Sequence, residues 1–373
     1  VFVSIDWLKL LNMSLKPDRY GLNLAGDKLR PGKPVRFNYE SSWFFYILRR
    51  IFHEKYLIGL ITIIAAVVLA GCANSSATNK KTINVGILQV VPHGSLDEAR
   101  KGFKEELNQK IKQHDKSIKV NYNYQNAQGD QANLNSMAQQ LTQKKNDLIL
   151  GIATPSAQAL AKKTKSTPIV VTAVTNLKSA GLVKDDRKPA TNVTGTKDLG
   201  PVDKQVKLLT TLTKSSKPIG VMYNSSEENS VLQVKMVKEY AKNHHIKLNV
   251  VSVTSTNDVA SALSGMADKV SGIYLPTDNL MASSMKTIGK KAREAKLPIV
   301  TGSIEMAEDG GVATYGINYR DLGKQTAKMA YRILIEKKKP QDMPVETSHT
   351  LRLYINKANA KAIGIDPSKI TKP

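Results

Sequence analysis

From Thr82 onward, apolar and polar positions fall into two alternating rhythms. Ile83-Asn84-Val85-Gly86-Ile87-Leu88 reads as a buried strand, followed by a loop from Gln89 to Ser95. A helix is predicted next, with Ser95 as N-cap and Glu98 three residues on, the spacing of a capping box. Lys119 to Tyr124 predicts a strand, Gln131 to Lys144 a helix, and Leu148 to Gly151 a short strand. Thr154-Pro155-Ser156 opens another helix, with proline in the first turn where its missing N–H costs nothing. Pro168 to Val171 gives a fourth strand.

After Asn192-Val193-Thr194-Gly195 the rhythm starts again. Helices are expected over Pro201–Thr213, from the Asn224–Ser230 loop through Lys242, and over Thr256–Lys269, Asp278–Ala295 and Arg320–Glu336. Strands are expected at Pro218–Tyr223, Ile246–Val253, Gly272–Leu275, Pro298–Thr301 and Thr347–Ile355, with Asn356 capping a short helix that ends at Gly364. Strands alternating with helices predict parallel sheets covered on both faces. The fold class is therefore α/β, with two Rossmann-like parallel-sheet lobes in series.

Upstream the pattern changes. Arg49, Arg50 and Lys55 precede an apolar run from Tyr56 to Ala70, which ends at Leu69-Ala70-Gly71-Cys72 and gives way to small polar residues. Basic flank, apolar core and small residues make the order of a secretory signal peptide. The run is shorter than the roughly 20 apolar residues of a membrane-spanning helix. Cys72 directly after Leu-Ala-Gly resembles the bacterial lipobox, which implies a diacylglyceryl group on that thiol and a chain held to the outer face of the cytoplasmic membrane. Residues 48–71 are thus expected to be the signal peptide and 72–81 a flexible tether. Residues 1–47, beginning at Val1 and without sustained period, are expected to be an upstream extension of the reading frame, with the native start near Leu48.

Composition narrows the function. The single cysteine excludes an internal disulfide, so stability must come from packing. The chain carries a formal charge of +24. Residues 1–71 hold 10 Lys and Arg against 5 Asp and Glu, which leaves +19 from Cys72 onward. That charge is spread out, in patches such as Lys162-Lys163, Lys290-Lys291 and Lys337-Lys338-Lys339 near helix ends, where it complements the helix dipole. No zinc-finger spacing or aromatic RNA motif accompanies it, so nucleic acid is not an expected partner. A basic exterior facing anionic lipid is the plainer account.

Ligands of open parallel sheets collect beyond the carboxyl ends of the strands. The loops there are Gln89–Ser95, Gln125–Asp130, Ala153–Ser156, Ala173–Asn176, Tyr223–Ser230, Pro276–Asn279 and Ser303–Glu305. From them the candidate ligand-binding residues are Gln89, Val91 and His93; Ala153, Thr154, Pro155 and Ser156; Thr175; Tyr223, Ser225 and Asn229; and Asp278 and Asn279. Helix N-terminal amides near Thr154 and Ser156 suit a carboxylate, and Asp278 suits an ammonium group. An amino acid offers that pair of charges. Thr154, Ser226 and Asp278 also read equally well as ordinary N-caps. Catalytic patterns are thin: no nucleophile elbow, no His-x-x-x-His and no phosphate loop appears, so no enzyme, cofactor or metal is expected.

Several stretches resemble the substrate-binding lipoproteins of bacterial ABC importers, of the type proposed for tryptophan and other aromatic amino acids. They are Gly86-Ile87-Leu88-Gln89 with His93 and Ser95-Leu96-Asp97; Gly129-Asp130-Gln131; Asp147 through Pro155; Asn192-Val193-Thr194-Gly195; Tyr223 through Ser230; and Pro276-Thr277-Asp278-Asn279. They occur in family order and span 82–365. The resemblance implies a type I periplasmic-binding-protein fold, two lobes on a three-strand hinge that close on the ligand. By that analogy 82–196 plus 319–340 form the first lobe and 197–318 plus 341–373 the second. It also implies a monomer that passes an amino acid to a membrane permease with a cytosolic ATPase. Tyr223, Val91 and Pro155 would line the side-chain pocket. Where the family often carries Thr-Asp-Pro, this chain has Thr175-Asn176-Leu177, which removes a carboxylate from that side. A sugar- or nucleoside-binding lipoprotein would share the fold but stacks its ring between aromatic planes, and both tryptophans here precede Cys72. A sensor accessory protein without transport is the other alternative.

Overall fold

The computed structural model describes residues 82–213, 215–348 and 350–373. The upstream extension (1–47), the signal peptide (48–71) and the whole tether with Cys72 (72–81) lie outside the described residues. The first half runs β1 (Thr82–Gln89), α1 (Gly94–His114), β2 (Lys119–Asn126), α2 (Gln131–Gln143), β3 (Leu148–Ile152), α3 (Thr154–Lys163), β4 (Ile169–Val174) and β5 (Val193–Lys197). The second runs α4 (Val202–Leu212), β6 (Ile219–Asn224), α5 (Glu228–Asn243), β7 (Leu248–Val253), α6 (Thr256–Ala267), β8 (Ile273–Leu275), α7 (Asn279–Ser283), α8 (Met285–Glu294), β9 (Ile299–Thr301), α9 (Ile304–Asp309) and β10 (Ala313–Ile317). The chain ends with α10 (Tyr319–Leu334), β11 (Glu346–Thr347), β12 (Leu351–Ile355) and α11 (Lys357–Ala362).

Two six-stranded sheets result, in the orders β11-β5-β4-β3-β1-β2 and β12-β10-β9-β8-β6-β7. Within each, strand order reverses beside the first strand, between β1 and β3 and between β6 and β8, which opens the crevice where doubly wound sheets bind ligands. Every residue of β3 and β4 is buried, as continuous apolar strands covered on both faces must be. At the edge, β2 carries Lys-Val-Asn-Tyr-Asn-Tyr-Gln-Asn and stays partly exposed, a polar rim that discourages pairing with other chains.

Three crossings join the lobes: β5 to α4, β10 to α10, and β11 to β12. The second returns the chain to the first lobe, where α10 packs on α1 within one apolar core. Phe103 and Leu107 on α1 and Ala327, Met329 and Ala330 on α10 are fully buried there. The approach is closest at two glycines. A Cβ on Gly102 would lie 2.1 Å from the Arg320 carbonyl oxygen, and one on Gly323 would lie 2.0 Å from that of Ala99.

Some local expectations are corrected. Helix α1 begins at Gly94, with His93 in the cap position and no side-chain cap. The Ser95 hydroxyl instead meets that of Ser303 at 2.9 Å, and Glu98 pairs with Lys101 and Arg320. The helix expected over Asp278–Ala295 is two, α7 and α8, separated at Ser284. The strand expected over Thr347–Ile355 is also two. β11 lies parallel to β5 in the first sheet and β12 antiparallel to β10 in the second. The tail therefore still serves the first lobe at Glu346 and Thr347, beyond the expected division at 341. Strands β5 and β10 and helix α9 had not been assigned from the sequence. Each is only five or six residues long, too short to display a period.

Because backbone oxygens leave no room for a methyl group, G323A should force α10 away from α1. We expect a loss of about 2–3 kcal/mol, the upper range for overpacking a tight core, read as a lower urea midpoint with unchanged m-value. An unaltered midpoint would refute the close-packing account.

Candidate functional site

The carboxyl ends of the two sheets face each other across a small cavity. Its wall includes His93 and Ser95 after β1, Ala173 and Thr175 from β4, Asp198 after β5, Asn229 on α5, Thr277, Asp278 and Asn279 after β8, Ser303 after β9, and Tyr319 opening α10. A larger groove is lined by Val91 and Pro155 of the first lobe and by Asn224, Glu227 and Leu280 of the second. Asn279 lines both spaces.

On the second lobe the wall is a knot of amides around two buried carboxylates. Glu227 Oε1 accepts from Asn224 Nδ2 at 3.1 Å, and Oε2 accepts from Asn229 Nδ2, from the Asn279 backbone N–H and from Asn279 Nδ2. Asp278 caps α7: Oδ1 accepts from Met281 N at 2.9 Å and Oδ2 from Asn224 N at 2.5 Å. Burial raises the pKa of both acids above the ordinary carboxylate range, and their mutual repulsion raises Glu227 further. Gln233 extends the knot to the first lobe, donating to Thr277 Oγ1 at 2.6 Å and to Thr175 Oγ1 at 3.5 Å.

His93 joins the lobes. Its Nε2 lies 3.3 Å from Asn279 Oδ1. Asn279 commits its Nδ2 to Glu227, so its oxygen faces the ring and the His93 Nε2 must carry the proton. Desolvation in the cleft pulls the His93 pKa down to about 4, which keeps the ring neutral.

On the first lobe, β3 and β4 end in strained backbone. Ala153 has φ 76° and Ala173 φ 57°, conformations unusual for a residue with a side chain and concentrated at functional sites. Ala153 stands just ahead of α3, where the hydroxyls of Thr154 and Ser156 are buried and have no protein partner. Asp198 receives the Tyr319 hydroxyl on Oδ2 at 2.5 Å, while its Oδ1 has no protein partner. Burial pushes the Asp198 pKa up, against the pull of Tyr319 and the neighbouring Thr175 hydroxyl. Burial likewise pushes Glu305 to about 7.

Of the residues expected from the sequence, His93, Thr175, Asn229, Asp278 and Asn279 meet on the cavity wall, and Val91 and Pro155 on the groove. Thr154 follows the cap position of α3, held by Ala153, and the cap of α5 falls on Glu227 rather than Ser226. Gln89 is fully buried and turned inward, bonded to the Val91 carbonyl, Asp97 and Arg100. Tyr223 does not line either space. Strand alternation puts it on the face of Ile219 and Val221, against the core under α4 and α5. Ser225 is an exposed turn residue. The reading missed Asp198, Tyr319, Glu227 and Ser303. Asp198 follows the unassigned β5, so that strand end was not searched; Glu227, an acid among amides in a polar loop, was the one legible signal.

Two doubly wound lobes, three crossings and a polar cavity between facing strand ends define the type I periplasmic-binding-protein fold. Residues 84–370 match the model of the ABC transporter substrate-binding proteins, and the chain belongs to that family. It is 39% identical over 322 residues to a tyrosine-binding protein of Clostridioides difficile, covering 83% of this chain and 92% of that one. An ABC domain from Streptococcus pneumonia in complex with L-Trp is 38% identical with a TM-score of 0.72, covering 77% of this chain and 96% of that one. The ligand-free, open structure of a Clostridium difficile substrate-binding protein with adhesive properties is 40% identical, covering 78% and 97%, but its TM-score is 0.59. Among the described residues no helix is long and apolar enough to cross a membrane, and no group of three His, Cys, Asp or Glu is placed to hold a metal.

Glu305 makes the pH dependence of stability testable. The unfolded chain ionises this carboxyl near 4.5 and the folded protein near 7. Between those values the folded state binds more protons, so the contribution to stability falls as pH rises. The slope from one group is at most about 1.4 kcal/mol per pH unit. E305Q should therefore flatten the decline of unfolding free energy between about pH 5 and 7 in urea titrations. A decline as steep as in the wild type would contradict the buried-acid reading.

Proposed function

We propose that this protein captures an amino acid with an aromatic side chain, tryptophan or tyrosine, between its lobes and delivers it to an ABC permease. Cys72, lipidated after removal of residues 48–71, would hold it at the outer face of the cytoplasmic membrane. The carrying observation is a set of buried polar atoms without protein partners, Asp198 Oδ1 and Asn229 Oδ1 on facing walls of the cavity and Thr154 Oγ1 and Ser156 Oγ at the start of α3. Buried polar groups are ordinarily paired, so such a set is suited to a small polar ligand. The first turn of α3 adds free N–H groups and a favourable dipole for a carboxylate. Val91 and Pro155 on the groove provide apolar surface for a ring. The tyrosine-binding and L-Trp-bound relatives support an aromatic amino acid over a sugar.

The mechanism follows from the contacts between lobes. His93 to Asn279 and Ser95 to Ser303 bridge the two lobes, so an opening of the cleft would break them. These few polar bonds are individually worth about 1 kcal/mol, so ligand contacts on both walls would tip the balance toward the closed form. The ligand leaves when those contacts are lost at the permease.

Thermal unfolding of the full chain in detergent should shift upward with L-Trp or L-Tyr, by up to about 2.7 kcal/mol of stability at a hundred times Kd. A response to sugars or nucleosides and none to amino acids would overturn the reading. S156A should weaken amino-acid binding about 10-fold, the lower range for a hydrogen bond to a charged group. For the anchor, C72S should move the protein out of the membrane fraction; unchanged partitioning would remove the lipid from the account.

A further inference from the structure

We propose that Asp198, rather than Asp278, receives the ligand's cationic amino group, with Asn229 as the second acceptor from the opposite lobe. This deepens the amino-acid reading of the cleft and rests on it. Both carboxylates line the cavity, but their oxygens are differently engaged. Asp278 accepts a backbone N–H on each oxygen, as a helix cap does. Asp198 uses one oxygen for the Tyr319 hydroxyl, and its other has no protein partner although the residue is only 3% exposed.

Among the described residues no lysine or arginine lines this cavity, although the chain is strongly basic overall. A carboxylate buried without a cation is costly unless something charged arrives to pair with it. Asn229 Oδ1 is likewise buried without a partner, on the facing wall of the same cavity. An ammonium group carries three N–H donors, enough to engage an acceptor from each lobe at once.

The sheet order places Asp198 suitably. β4 lies between β3 and β5, and the Ala153 and Asp198 N–H groups both donate to β4, to Thr172 and Val174. The α3 N-terminus and Asp198 therefore stand two strand spacings apart across the sheet, roughly 10 Å, and two β4 residues apart along it. An α-amino acid with one hydrogen bond at each charged end spans that gap. Asp198 also sits on the first crossing and Tyr319 just after the second. A cation drawn to Asp198 thus acts on a bond that ties two hinge segments together.

The test compares L-tryptophan with 3-(indol-3-yl)propanoate, which lacks only the amino group, by calorimetry on the full chain. Wild type should prefer L-tryptophan, and D198N should lose on the order of 100-fold for L-tryptophan, as truncating a buried charge pair does, while its affinity for the propanoate does not fall. Where D198N shows no cooperative thermal transition, D198S reads the same ratio. Y319F, which keeps the carboxylate, should retain the preference. A wild-type ratio in D198N, or the selective loss appearing in D278N instead, would overturn the assignment. A wild-type chain that binds no amino acid would instead remove the underlying reading of the cleft.

Discussion

Parallel sheets covered on both faces leave polar chemistry one place to go. Side chains above and below the strands must be apolar, as they are throughout β3 and β4, so charged and hydroxylic groups gather at the carboxyl ends. Here two such ends are set against each other. The apolar cores decide where the strands stop, and the loops beyond them inherit a confined, partly dehydrated space.

That space is acidic within a basic protein. Asp198, Glu227, Asp278 and Glu305 are each buried and each raised in pKa by loss of water. Most of their oxygens are satisfied by amides and hydroxyls rather than by lysine or arginine. Such pairing stabilises a carboxylate without neutralising it. The surface charge can then serve long-range attraction to an anionic boundary, while the cleft answers to local groups alone.

Much of this was legible in the chain. Long amphipathic segments such as α1 and α10 and all-apolar runs such as Leu148–Ile152 declare themselves, and the loops that follow several of the strands line the cavity. The short strands β5 and β10 did not, because five residues cannot establish a period and their burial comes from neighbours distant in sequence. Asp198 was lost with β5. Tyr223 was placed at the pocket because it ends a strand, but a one-residue alternation turns it to the far face. Asp278 read equally well from the sequence as ligand group and as cap; the cap is what the bonds from Met281 and Asn224 show.

The welding of α10 to α1 has a consequence for the order in which the molecule is made. A chain that emerges N-terminus first presents α1 more than 200 residues before its partner exists, since Arg320 meets Glu98 across a separation of 222 positions. The first-made half therefore cannot be finished before the second-made half has been synthesised. Closing so long a loop is entropically slow, and the nascent chain stays open and threadable until almost its last turn has appeared.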